Sequence, residues 1–152
     1  MRMFNYRILG IAALMAMILC MMACDDNEIH KAASAMNKVS IAVGEVQKVT
    51  ISMSDQNLIP RDTADKIVGV CMRASIAGKE IDKILRTIQA LDQTSRKDIV
   101  GLLQKISADF DPQALEFVAG IKNESAKQKI EGTLVVMRSA LASVQLIVAT
   151  GG

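Results

Sequence analysis

From Ile29 onward, apolar side chains recur in alternating steps of three and four residues: Ile29, Ala32, Met36, Val39, Val43, Val46, Thr50 and Met53. A helix turns once in about 3.6 residues, so this spacing gathers them on one stripe. Thr50 is its one polar member. Lys31, Lys38, Glu45, Gln47, Lys48 and Asp55 fall off the stripe and leave the opposite face to water. Asp25, Asp26 and Asn27 offer side chains that cap free N–H groups, and Pro60 bars continuation. The pattern therefore predicts a helix that opens between Asp25 and Asn27 and closes before Pro60.

A second stripe follows: Ile67, Cys71, Ala74, Gly78, Ile81, Leu85 and Ile88, widened by Val68, Ile84 and Leu91. Pro60 suits a first helical turn, and Asp62 and Asp65 stand where the positive end of the helix dipole favours carboxylates. This element is predicted to run from about Pro60 to about Leu91. With the first it makes a helical hairpin roughly 45 Å long, turning between Asn57 and Asp62. Ser95 with Asp98 reads as a variant capping box that opens a shorter helix, with Ile99, Val100, Leu102, Leu103 and Ile106 inward and an end near Asp109. Asp111-Pro112 supplies an N-cap and a first-turn proline for another short helix carrying Leu115, Phe117, Val118 and Ile121. The last long helix starts at Asn123 or Glu124 and repeats the stripe as Ile130, Leu134, Met137, Leu141, Val144 and Val148, with Gly151-Gly152 suited to ending it.

The helical period persists too long for short strands, so the fold expected is all-α: an antiparallel up-and-down bundle of three long helices plus one or two short ones. In this reading the short pair crosses between the second long helix and the last. Leu85→Ala should cost about 2 to 5 kcal/mol if its stripe is buried. Gly78 lies on the second stripe, where it would permit close helix approach.

The residues before this pattern are of another kind. Arg2 and Arg7 precede Ile8 to Ala23, a run without a charged or strongly polar side chain. That is a basic n-region followed by an apolar h-region. As a helix the run spans roughly 24 Å, short of the ~30 Å hydrocarbon core of a bilayer. Export is favoured over a permanent span, and the arginines orient the body outward. An uncleaved N-terminal membrane helix, with Cys20 and Cys24 as apolar filler, is the alternative. Six of the ten methionines belong to the first 23 residues. So do Arg2 and Arg7, which account for the whole excess of 18 basic over 16 acidic side chains. The remainder is formally neutral, and no basic patch points to nucleic acid.

The run ends Met21-Met22-Ala23-Cys24-Asp25-Asp26, which resembles the signal of bacterial lipoproteins. The resemblance is carried by Ala23 and Cys24; Met21 and Met22 depart from the usual Leu and small residue. It covers only the first 26 residues and implies that Cys24 is the lipidation site and, after cleavage, the new N-terminus. Cys20 follows bulky Leu19 and fits less well. The division implied is a leader over 1–23 and a single helical domain over 24–152. Asp25 resembles the residue that keeps such proteins in the inner membrane, which the resemblance favours slightly. More than one acyl chain is needed for stable attachment, a condition a di- or triacylated cysteine meets. No long Pro/Gly/Ser linker follows, so the domain should stand close to the bilayer.

Candidate chemistry beyond the leader is sparse. His30, beside Lys31, has no second metal ligand at helical spacing and reads as a solvated side chain. Cys71 lies on an apolar stripe and has no partner besides Cys24 for a disulfide. Asp109, Asp111 and Glu116 are oxygen donors near one another but lack the Gly-centred loop of an EF-hand, and Asp111 has a capping role before Pro112. Glu80 and Asp82 are two apart and do not face each other on a helix. Met36, Met53, Met72 and Met137 are too dispersed for a copper site. Phosphate-loop, dinucleotide, nucleophile-elbow and metalloprotease motifs are all missing. The sequence thus implies no catalytic residue, metal or cofactor.

The expected function is that of a non-catalytic, lipid-anchored cell-envelope protein facing the periplasm or exterior, acting by contact as a structural, adaptor or assembly component. Its partners would be the membrane and an envelope protein or a second copy. Two other readings come from the helices themselves: a bundle that holds an apolar small molecule or lipid, and self-association through a coiled-coil seam.

Overall fold

The structure, a computed structural model, describes the backbone of residues 4–150 and the side chains of residues 28–150. Arg2, Gly151 and Gly152 lie outside the described residues, as do the side chains of Arg7, Cys20, Cys24 and Asp25. Among the described residues five helices follow in order: α1 (Phe4–Asp55), α2 (Arg61–Thr87), α3 (Gln93–Asp109), α4 (Glu116–Ala119) and α5 (Glu124–Thr150). No strand occurs among the described residues, and the chain is an all-α helical bundle.

The stripes are the core. On α1, Ala32, Met36, Val39, Val43, Val46, Thr50 and Met53 are all buried, and Ile29 is partly buried against them. Ala35 and Ala42, also buried, widen the stripe toward a second neighbour. Thr50 is tolerated at 0% exposure because its Oγ1 donates to Val46 O, four residues back, at 2.7 Å. On α2 the buried set is Ala64, Ile67, Val70, Cys71, Ala74, Ile81 and Leu85. On α5 it includes the entire predicted series Ile130, Leu134, Met137, Leu141, Val144 and Val148.

α1 packs on α5 and α2, and α3 packs on α2 and α5. The four helices therefore close a ring in which each neighbour runs antiparallel to the next. This enlarges the role expected of the third helix. Its Ile99, Leu103 and Ile106 are buried while Val100 and Leu102 pack at the margin, which makes α3 a full wall of the bundle instead of a crossing piece. Only α4 is short. Residues 112–115 form turns, and Asp111 Oδ1 accepts from Gln113 N at 2.9 Å to open them.

Helix ends depart from expectation at three places, each for a local reason. α1 does not begin at 25–27; its backbone is helical from Phe4 onward, since no proline interrupts the chain before Pro60. It ends in a Schellman motif: Asn57 takes φ 56°, with Leu58 N donating to Met53 O and Asn57 N to Ser54 O, each at 2.9 Å. α2 opens just after Pro60 and stops at Thr87 instead of Leu91, because Ile88 turns extended and the chain swings Leu91 into the core. α3 is capped by Asp92, not Ser95. The Asp92 carboxylate accepts from Ser95 N and Ser95 Oγ, both at 2.7 Å, and Ser95 is buried inside the first turn. The predicted start of α5 holds, with Asn123 Oδ1 accepting from Ala126 N at 2.9 Å.

Phe110 is fully buried at the end of α3, and Phe117 packs at the core margin with Lys66 Nζ 5.7 Å from its ring centroid. Gly78 is not a point of forced approach: a Cβ there would meet only the Met36 methyl, at 3.8 Å.

Candidate functional surface

The functional candidates are grooves and one helix face, positioned by the antiparallel pairing of α1 with α5 and α2. A guanidinium clamp fixes that pairing at one end. Arg96, one turn into α3, donates from Nε to Leu91 O at 2.8 Å and from the two terminal nitrogens to Val148 O and Glu28 Oε2, each at 2.6 Å. One planar fork thus ties together Glu28 of α1, the α2–α3 turn and the last turn of α5, where a carbonyl lacks an intrahelical partner. Both ionic side chains are about three-quarters shielded, with 26% and 21% exposure.

Two other arginines act similarly. Arg73 forks onto Asp109 from α2 to α3, with its shortest contact at 2.8 Å. The shared hydrogen bonds, strengthened by charge, hold the Arg73 guanidinium protonated above its ordinary range. Arg138 Nε on α5 donates to Phe110 O at 2.7 Å, closing the end of α3. None of these was visible in stripe periodicity, which reports apolar faces only.

The sequence candidates separate in space. Asp109 is engaged by Arg73, and Asp111 by the turn that follows it, so they do not share a site. Asp82 pairs with Arg86 one turn on, at 2.7 Å, while Glu80 lines the α2–α3 groove. Among the described residues no group of three or more His, Cys, Asp or Glu could hold a metal ion. Cys71 is a free, fully buried thiol whose pKa burial pushes up to about 11. Asp92 is held below the usual carboxylate range by the hydrogen bonds it accepts from Ser95. His30 is exposed.

Between the helices lie open grooves. One, of about 510 Å³, runs between α1 and α2 past Ser40, Ser75, Gly78 and Lys79. Another, of about 440 Å³, runs between α1 and α5, lined by His30, Lys31, Ser34 and Lys38 opposite Ala140, Ser143 and Ile147. Its lining contains three basic side chains and no carboxylate. Beside it, the outward face of α5 carries no charge from Gly132 to Thr150, for Arg138 is turned to Phe110. Val135, Val136 and Leu146 stand more than half exposed there. By length and composition α5 is apolar enough to cross a membrane, with a mean hydropathy of 1.6 over its best window, yet in the fold its stripe supplies one side of the core. The missing charge was legible in the sequence; that it fell on an outward face was not. No protein-family model, curated protein or solved structure matches the chain.

Proposed function

We propose that the protein is a lipid-anchored component of the bacterial cell envelope, attached through Cys24, that acts by contact through its helical bundle and not by catalysis. The observation that carries the reading is the juxtaposition of the Ala23-Cys24 signal with the start of the bundle. Cys24 precedes Glu28 by four residues, roughly 6 Å along a helix axis, and Glu28 is already bound by the Arg96 clamp. An acyl group at Cys24 leaves the folded body no slack. It is held at the bilayer, with the α1–α5 end nearest the anchor, and its partners lie at the membrane surface. Support for a contact role comes from Asp92, Arg73 and Arg96, whose polar groups are engaged in a helix cap and in inter-helix ties. The α1–α2 and α1–α5 grooves are open to solvent, which suits a contact surface better than an enclosed pocket for an apolar ligand.

The test is Cys24→Ala in a bacterial host that processes lipoproteins, followed by membrane fractionation and metabolic labelling with a fatty-acid analogue. The reading expects the label to be lost and maturation to stop. Unchanged labelling, maturation and membrane association would overturn it.

A further inference from the structure

The α5 face and the basic edge of α1 form one surface with two chemistries side by side. Val135, Val136 and Leu146 project from α5 at 60%, 62% and 64% exposure. The positions between them are Ser139, Ala142 and Ser143, all exposed and uncharged. Along one side run Lys31 and Lys38, seven residues apart and therefore on the same side of α1, with His30 beside them. Ile41, 59% exposed, continues this edge one turn further. Carboxylates bound the far end of the face: Glu45 on α1, which the antiparallel register sets level with Thr133, and Glu131 on α5, which shares a groove with Val135 and Glu116.

We infer that this surface lies against an anionic phospholipid bilayer, with α5 at the headgroup boundary and Lys31 and Lys38 on lipid phosphates. Uncharged helix faces edged by lysines have the composition of interfacial helices, and each lysine near an anionic surface strengthens attachment roughly fivefold. The anchor decides the occupant. A second copy packed antiparallel on this face could set its Glu45 and Glu131 near the lysine edge, but the attachment proposed at Cys24, seven residues before Lys31 along α1, holds that edge at the bilayer. A bilayer containing phosphatidylglycerol supplies both the apolar boundary and the phosphates. The inference rests on the membrane-attachment reading above and adds an orientation to it: the bundle reclines on α5 instead of standing on its end.

The chain contains no tryptophan, so one introduced indole reports its own depth. Full-length Leu146→Trp, Val136→Trp and, as a control on the diagonally opposite helix, Ile76→Trp replace exposed side chains and leave the core intact. Each is reconstituted in vesicles of brominated phosphatidylcholine with or without phosphatidylglycerol, and flotation is measured on the same samples. Expected are quenching and a blue shift at the α5 positions but not at Ile76→Trp, greater with phosphatidylglycerol and lost when Lys31→Glu and Lys38→Glu are added. Vesicles that float with an unquenched α5 indole would overturn the orientation alone. A blue shift that grows with protein density but is insensitive to brominated lipid would overturn it in favour of self-association. Failure to float would overturn the attachment reading and the orientation together.

Discussion

Arg96→Met is the perturbation that most sharply separates packing from electrostatics in this bundle. The substitution keeps an unbranched apolar stem of similar reach but removes three hydrogen bonds, to Leu91 O, Val148 O and Glu28 Oε2. Hydrogen bonds involving a charged group contribute about 1.5 to 3 kcal/mol each, but three that share one guanidinium are not additive. Glu28 is 21% exposed, so water recovers part of its solvation and the full penalty of a stranded buried charge does not apply. The net cost expected is about 2 to 4 kcal/mol. Urea unfolding of the full chain in a mild non-ionic detergent, followed by circular dichroism, would register it as a lower midpoint with an unchanged slope. Arg96→Lys tests the geometry, since a single ammonium cannot address three divergent acceptors in a plane; it should recover less than half of the loss. Glu28→Gln combined with Arg96→Met completes a double-mutant cycle with a coupling of about 1 kcal/mol or more. A loss below about 0.5 kcal/mol for Arg96→Met, or full rescue by lysine, would refute the clamp as a determinant of the α1–α3–α5 corner.

Leu85→Ala removes a side chain 4% exposed on the α2 stripe and should cost about 2 to 5 kcal/mol in the same unfolding assay; a cost near zero would contradict the packing. Asn57, at φ 56°, should gain a few tenths to about 1 kcal/mol as Asn57→Gly and lose about 1 to 2 kcal/mol as Asn57→Val, and equal stabilities would contradict the Schellman turn. Cys71, with its thiol pushed up to about 11, should resist alkylation below pH 9 in the folded chain and react promptly once unfolded, as peptide mass mapping would show. Because its folded pKa is raised, the folded state keeps the proton that the unfolded state gives up first. The stability of the parent chain relative to Cys71→Ala should therefore decline as pH rises from about 9 through about 11.

The long helices were legible because burial imposes a three-four period, and the α5 series from Ile130 to Val148 is buried at every predicted position. Thr50 fitted the stripe despite its polarity because a hydroxyl in a helix can return its hydrogen bond to the preceding turn. The ends were less legible. Ser95 and Asp98 have the spacing of a capping box, yet Asp92, three residues earlier, accepts the Ser95 N–H and begins the helix. Asn57 stands at the start of the turn expected between Asn57 and Asp62, and its tolerance of the left-handed region, next after glycine, is the signal for the cap it makes there. The Arg96 clamp joins residues 68 and 52 positions apart, a distance at which no periodicity speaks. The α1–α5 surface combines both cases: its lack of charge is a property of the sequence, whereas its adjacency to Lys31 and Lys38 exists only once the two helices pair.

The claim on which the rest depends is attachment through Cys24. Its most direct test is the intact mass of the protein extracted from membranes of a bacterial host, with fragmentation of the N-terminus. The account predicts a chain that begins at Cys24 and carries diacylglyceryl, with or without a further acyl group on its amine. An unmodified chain beginning at Met1 would contradict it and leave a retained membrane helix as the means of attachment.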